Sequence, residues 1–129
     1  MTEGKNNTDS QSTIQSSIRE SQAHVRQLHR GQRLLSEFMP LTDQTFTALA
    51  DEQIEHIDQF VYRFSKLQDS LGLRFIPSLY TLLQNDNRPQ PFMNILNYLE
   101  KLGILPSIDD WQFFRNLRNN LAHDYPETV

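Results

Sequence analysis

The sequence predicts an all-α protein, an up-and-down bundle of four to five helices. Three observations point there. Apolar residues recur at intervals of three and four through most of the chain, the period of a helix with one buried face. The segments between them, residues 40–50 and 85–91, have the composition of turns. At 129 residues, 37% hydrophobic and 10% aromatic, the chain is long enough for one helical core.

The elements follow in order. Residues 1–12 are polar and predict a disordered tail, leaving 13–129 as a single helical domain. From Thr13, a candidate N-cap, Ile14, Ile18, Val25, Leu28, Leu35 and Phe38 keep heptad-like spacing up to Pro40, which predicts a long first helix facing the core along that stripe. Its other face carries His24, Arg26, His29, Arg30 and Arg33. This stripe reads as a solvated face, or as a surface for RNA or an acidic partner. Residues 40–50 read as a loop with at most one helical turn. The strongest period is that of Ile54, Ile57, Phe60, Val61, Phe64, Leu67 and Leu71, which predicts a second helix ending near Gly72. Phe75, Ile76, Leu79, Tyr80, Leu82 and Leu83 form a third, separate or continuous with the second, with Pro77 tolerated in its first turn. A fourth helix runs from Phe92 to a C′ glycine at Gly103. Ser107 is a good N-cap for the last one, and Asp109 and Asp110 suit its N-terminus.

Composition narrows the functional classes. The chain has no cysteine, which excludes disulfides and thiolate metal sites and makes a reducing cytoplasm the simplest compartment. Its start lacks the apolar stretch of a signal peptide, and no apolar run approaches the roughly 20 residues of a membrane span. His24 and His29 are five apart, wrong for two ligands on one helix face, and His56 has no partner at metal spacing, so neither a metal nor another cofactor is expected. A net charge of -4 argues against coating nucleic acid by bulk electrostatics. Any RNA contact must be local.

The last helix supplies that locality. Trp111 to Pro126 reads WQFFRNLRNNLAHDYP, where a generic surface helix would carry Glu and Lys. Asparagine is a mediocre helix former, so three in one helix point to something other than helix stability. Asn116, Asn119 and His123 fall along one stripe, and Arg118 and Tyr125 along a neighbouring one. Arg115 lies one turn before Arg118. Trp111, Phe114, Leu117 and Leu121 are expected to face the core. Pro126 disfavours helix at Tyr125, which places the helix end near His123 or Asp124.

Arg118, four residues, His123, one residue and Tyr125 resemble the R-x4-H-x-Y signature of the HEPN superfamily, in the version carried by HepT toxins of bacterial and archaeal toxin–antitoxin pairs. Asn119, the polar residue after the arginine, fits as well. YRFSKLQDSLG, Tyr62 to Gly72, is similar to a second-helix signature of some HepT-related proteins. Asp69 in it either pairs with Arg118 or Arg115, or serves Lys66 on its own helix. The resemblance implies a HEPN-like bundle that cleaves RNA without metal. His123 and Arg118 would be catalytic, Asn119 would orient the phosphate or His123, and Arg115 and Asn116 would support RNA binding. It further implies a homodimer with the motif helices facing across a two-fold cleft. That suits residues about 140° apart around one helix, which one chain does not readily converge on one phosphate. Tyr125 resembles the tyrosine to which a cognate minimal nucleotidyltransferase antitoxin adds AMP; otherwise it is an edge tyrosine of the bundle. The competing readings are a non-catalytic HEPN subunit that binds a nucleotidyltransferase or nucleotide, and a plain helical interaction bundle.

Overall fold

The computed structural model describes residues 2–86 and 88–124, with side chains over 8–86 and 88–123. Among these residues the protein is all-α: α1 (Thr2–Leu35), a short α2 (Asp43–Thr47), α3 (Asp51–Asp69), a π-helical segment (Ser70–Phe75), α4 (Ile76–Gln84), α5 (Phe92–Lys101) and α6 (Ile108–Asp124). The backbone stays right-handed helical at Asp69, Ser70, Phe75 and Ile76, so α3, the π segment and α4 form one continuous rod. α1 packs against all three parts of this rod, α5 against α4, and α6 against α3 and α5.

Local chemistry explains the boundaries. Thr42 and Thr45 cap α2 reciprocally: the Thr45 N–H donates to Thr42 Oγ1 at 3.2 Å and the Thr42 N–H to Thr45 Oγ1 at 2.7 Å. Beyond α5, Gly103 takes φ +76°, a left-handed conformation that glycine adopts without strain. Ser107 Oγ accepts the Asp110 N–H at 3.1 Å, and the Glu100 carboxylate reaches over from α5 to accept the Ile108 N–H at 2.7 Å. The rod passes through Gly72 instead of stopping there. Pro77 has no N–H to donate, and in a regular helix its ring crowds the carbonyl four residues back. The π segment, closed by the Ile76 N–H reaching the Leu71 carbonyl, changes the hydrogen-bond register just ahead of that proline.

The apolar core lies between α4, α5 and the start of α6. Ile76, Ile95, Leu96, Leu99 and Trp111 are buried together, with Leu71, Phe75, Leu79 and Phe92 packed around them. Gly72 lets α6 approach the rod: a Cβ there would stand 3.2 Å from Trp111 Cζ2.

Two expectations need correction. Helix α1 starts at Thr2 where a disordered tail over 1–12 was expected, and Ser10 within that stretch is buried by packing. Its inner face also differs. Ile18 and Val25 are exposed, while Ser17, Ser21, His24 and Leu35 are buried. Ser10, Ser17, Ser21, His24, Gly31 and Leu35 are spaced by sevens, fours and threes, so the inner seam keeps the heptad period with serine at half of these positions. Small side chains allow close approach: a Cβ at Gly31 would meet Phe60 Cδ2 at 3.0 Å. His24 thus leaves the basic stripe, whose other members Arg26, His29, Arg30 and Arg33 are exposed.

Burial of His24 has a consequence for pH. Arg63 Nη1 lies 3.2 Å from His24 Nδ1, and because a guanidinium can only donate, the imidazole must accept there in its neutral form. Burial first, then the Arg63 charge, push the His24 pKa below the ordinary 6.5; Glu20 opposes this, and Lys66 adds to it. The unfolded chain therefore takes up this proton before the folded one does, and stability falls as pH drops through about 6.5. Urea midpoints at pH 7 and pH 5.5 should differ in that direction, and His24→Gln should shrink the difference. An equal difference in both proteins would remove His24 as its source.

Candidate functional site

Asp69, the last residue of α3, faces α6. Its Oδ1 accepts from Arg115 Nη1 at 3.2 Å and from Arg118 Nε at 3.2 Å, and its Oδ2 accepts from Arg118 Nη2 at 2.9 Å. The Arg118 pair is bidentate, which fixes the plane of that guanidinium as well as its position. Lys66, the other candidate partner of Asp69, lies instead over the Tyr62 ring, 5.6 Å from its centroid. Burial works to raise the Asp69 pKa, but hydrogen bonds and charge from Arg118, then Arg115, outweigh it and hold the carboxyl below its ordinary value. One carboxylate faces two guanidiniums, so the cluster keeps a net positive charge. Arg118 is 24% exposed and spends two N–H groups on Asp69, which leaves donors for a further anion.

Asp69→Asn should cost about 1–2 kcal/mol at neutral pH, because the partly buried arginines lose their counter-charge. The sign with pH is fixed by the lowered pKa. The contribution is present above the unfolded value of 3.8 and lost as pH falls below it, so wild type and variant should converge in acid. Curves that stay parallel down to pH 3 would mean that Asp69 does not carry the difference.

The remaining residues of the motif sit differently. Asn116, Asn119 and His123 are exposed on α6, and none of their side chains has a hydrogen-bond partner among the described residues. Their register puts the three amide and imidazole groups along one edge of the helix, while Arg118 lies on the side turned toward Asp69. Helix α6 is described through Asp124. Tyr125 lies outside the described residues. Among those described, no group of three or more His, Cys, Asp or Glu is placed to hold a metal ion, and no helix is long and apolar enough to cross a membrane.

The apolar side of α6 departs from expectation. Trp111 is buried, but Phe114 is 43% and Leu117 38% exposed, and their neighbour Phe113 is 64% exposed. Helix α5 has 10 residues and α6 has 17, so the short helix that packs on Trp111 near the start of α6 does not cover the whole of the longer one. Only Phe114 gains an aromatic neighbour on α3, with its ring 6.4 Å from that of Phe64 in an edge-to-face arrangement. The result is an exposed apolar strip beside the arginine cluster. Sequence periodicity marked Phe114 and Leu117 but assigned them to this chain's own core. No family model, curated protein or solved structure matches the chain.

Proposed function

We propose that this chain is a metal-independent RNA-cleaving toxin of HEPN, HepT-like type, acting as a homodimer and neutralised by a nucleotidyltransferase antitoxin that adds AMP to Tyr125. The observation that carries the reading is the R-x4-H motif on the exposed half of α6, with Arg118 held in a fixed plane by Asp69 and left with free donors. In the proposed step His123 removes the proton of a ribose 2′-hydroxyl. The 2′-oxygen then bonds to the neighbouring phosphorus as the bond to the 5′-oxygen breaks. The products are a 2′,3′-cyclic phosphate and a 5′-hydroxyl, the latter protonated by solvent or by the histidine. Arg118 stabilises the extra negative charge on the phosphoryl oxygens, and Asn119 holds the phosphate or His123. His123 and Arg118 diverge by about 140° around α6, so the pair meeting one phosphate would come from two subunits. The exposed Phe113 and Leu117 supply apolar surface for that pairing.

Purified protein in EDTA should cut RNA to products with cyclic phosphate ends, and light scattering should give a dimer. Co-expression with a cognate nucleotidyltransferase should add AMP to the C-terminal peptide, and Tyr125→Phe should escape it. A metal requirement would reject the chemistry, and a stable monomer would reject the composite site. The second reading, a non-catalytic subunit that binds a nucleotidyltransferase or nucleotide, draws on the same ion pair: an arginine already paired in two places with Asp69 serves structure without any substrate. Absence of cutting by a dimeric, folded protein would favour it.

A further inference from the structure

A groove of about 670 Å³ opens between the π segment, α5 and α6, within the range of small-ligand sites. Leu73, Met93 and the Trp111 indole form its apolar part, and Gln112, Arg115 and Asn116 its polar edge. Leu73 and Met93 are exposed despite being apolar. Gln112 and Asn116 stand one helical turn apart on α6, and neither amide has a hydrogen-bond partner among the described residues. No carboxylate lines the groove. Its one charged residue is Arg115, which also donates to Asp69, so the groove runs directly into the arginine cluster.

An apolar slot, two unpaired amides and one cation define a narrow class of ligand. A purely apolar segment would bury the amides unpaired, and a simple anion would leave the apolar walls wet. A nucleobase with its phosphate uses all three: its faces are apolar, its edge carries donors and acceptors that amides match, and its phosphate is an anion. We propose that this groove is a nucleobase subsite. One base of single-stranded RNA enters between Leu73 and Met93 against Trp111, Gln112 and Asn116 bond its edge, and Arg115 holds its phosphate. The inference rests on the RNA-cleaving reading and adds to it that cutting occurs next to a preferred base.

Trp111 is the single tryptophan of the chain, so a change in its emission on titration arises at this groove or in the packing directly around it, with no second indole contributing. The full-length protein is titrated with 2′-O-methyl dinucleotides of each base, which lack the nucleophile and stay intact, and with ribose 5-phosphate. A saturable change in emission is expected with at least one dinucleotide and none with ribose 5-phosphate. Asn116→Ala should weaken the preferred dinucleotide by roughly fivefold or more, the loss of one hydrogen bond, with unchanged circular dichroism. Met93→Glu, an anion placed in the slot, should weaken all of them, and Gln112→Ala should shift the base found beside cut sites. A response to ribose 5-phosphate equal to that of the dinucleotides would overturn the subsite in favour of a bare phosphate contact. So would silence with all four bases, including the case where emission changes with protein concentration and another chain fills the groove. The two readings fail separately. Dinucleotide binding by a wild-type protein that cuts no RNA supports the subsite and removes the catalysis, whereas cutting with a silent Trp111 removes the subsite and keeps the catalysis.

Discussion

In the His123→Ala protein, RNA cleavage should fall at least about a hundredfold, the usual scale for loss of a positioned general base. The fold should hardly notice. His123 is exposed near the end of α6 and has no partner among the described residues, so the change in stability should stay within about 0.5 kcal/mol. Arg118→Ala should be equally inactive but not equally stable, since it removes a bidentate bond from α6 to α3 and leaves Asp69 with Arg115 alone. Read from sequence, both residues lie outside the apolar stripe and the two variants look alike. The structure separates them. Urea titrations run beside the cleavage assay test this, and full activity in His123→Ala would reject the proposed chemistry.

Trp111→Ala should destabilise the protein by about 3–5 kcal/mol, the usual cost of emptying a large buried aromatic site. Its indole is 9% exposed, its ring centroid is 6.2 Å from that of Phe92, and it lies against the backbone at Gly72, so its loss opens the contact of α6 with the rod and α5 together. The melting temperature should drop by roughly 10 °C or more. Phe113→Ser, two residues away and 64% exposed, should leave the melting of the monomer almost unchanged. If the two variants melted alike, the placement of α6 would be wrong.

Much of the architecture was legible because periodicity and capping act locally. The helix from Ile54 to Leu71, the glycine end of α5 and the Ser107 cap all follow from neighbours within a turn or two. Continuity through Gly72 was left open, because it depends on how the backbone absorbs Pro77 and on an indole from a distant helix. The α1 seam was misassigned for a related reason. Ile18 and Val25 share the heptad period with the true inner face but sit beside it, and nothing local says that serines can be buried against a partner helix. Within the site, the sequence offered Asp69 three partners, Arg115, Arg118 and Lys66, and only the folded chain brings both arginines to it. The groove went unread because Gln112, Leu73 and Met93 belong to three different elements with no shared spacing.

The serine seam of α1 also bears on how the molecule comes apart. Ser17 and Ser21 fill places where leucines would each contribute about 1.5–3 kcal/mol of burial, whereas α4, α5 and the start of α6 share a fully apolar centre. Opening free energy is therefore uneven along the chain, and α1 forms the weaker cooperative unit. Its amides should exchange with deuterated solvent well before those around Leu96 and Leu99. A protease will meet this long helix as a transiently released arm while the rest of the protein is still folded.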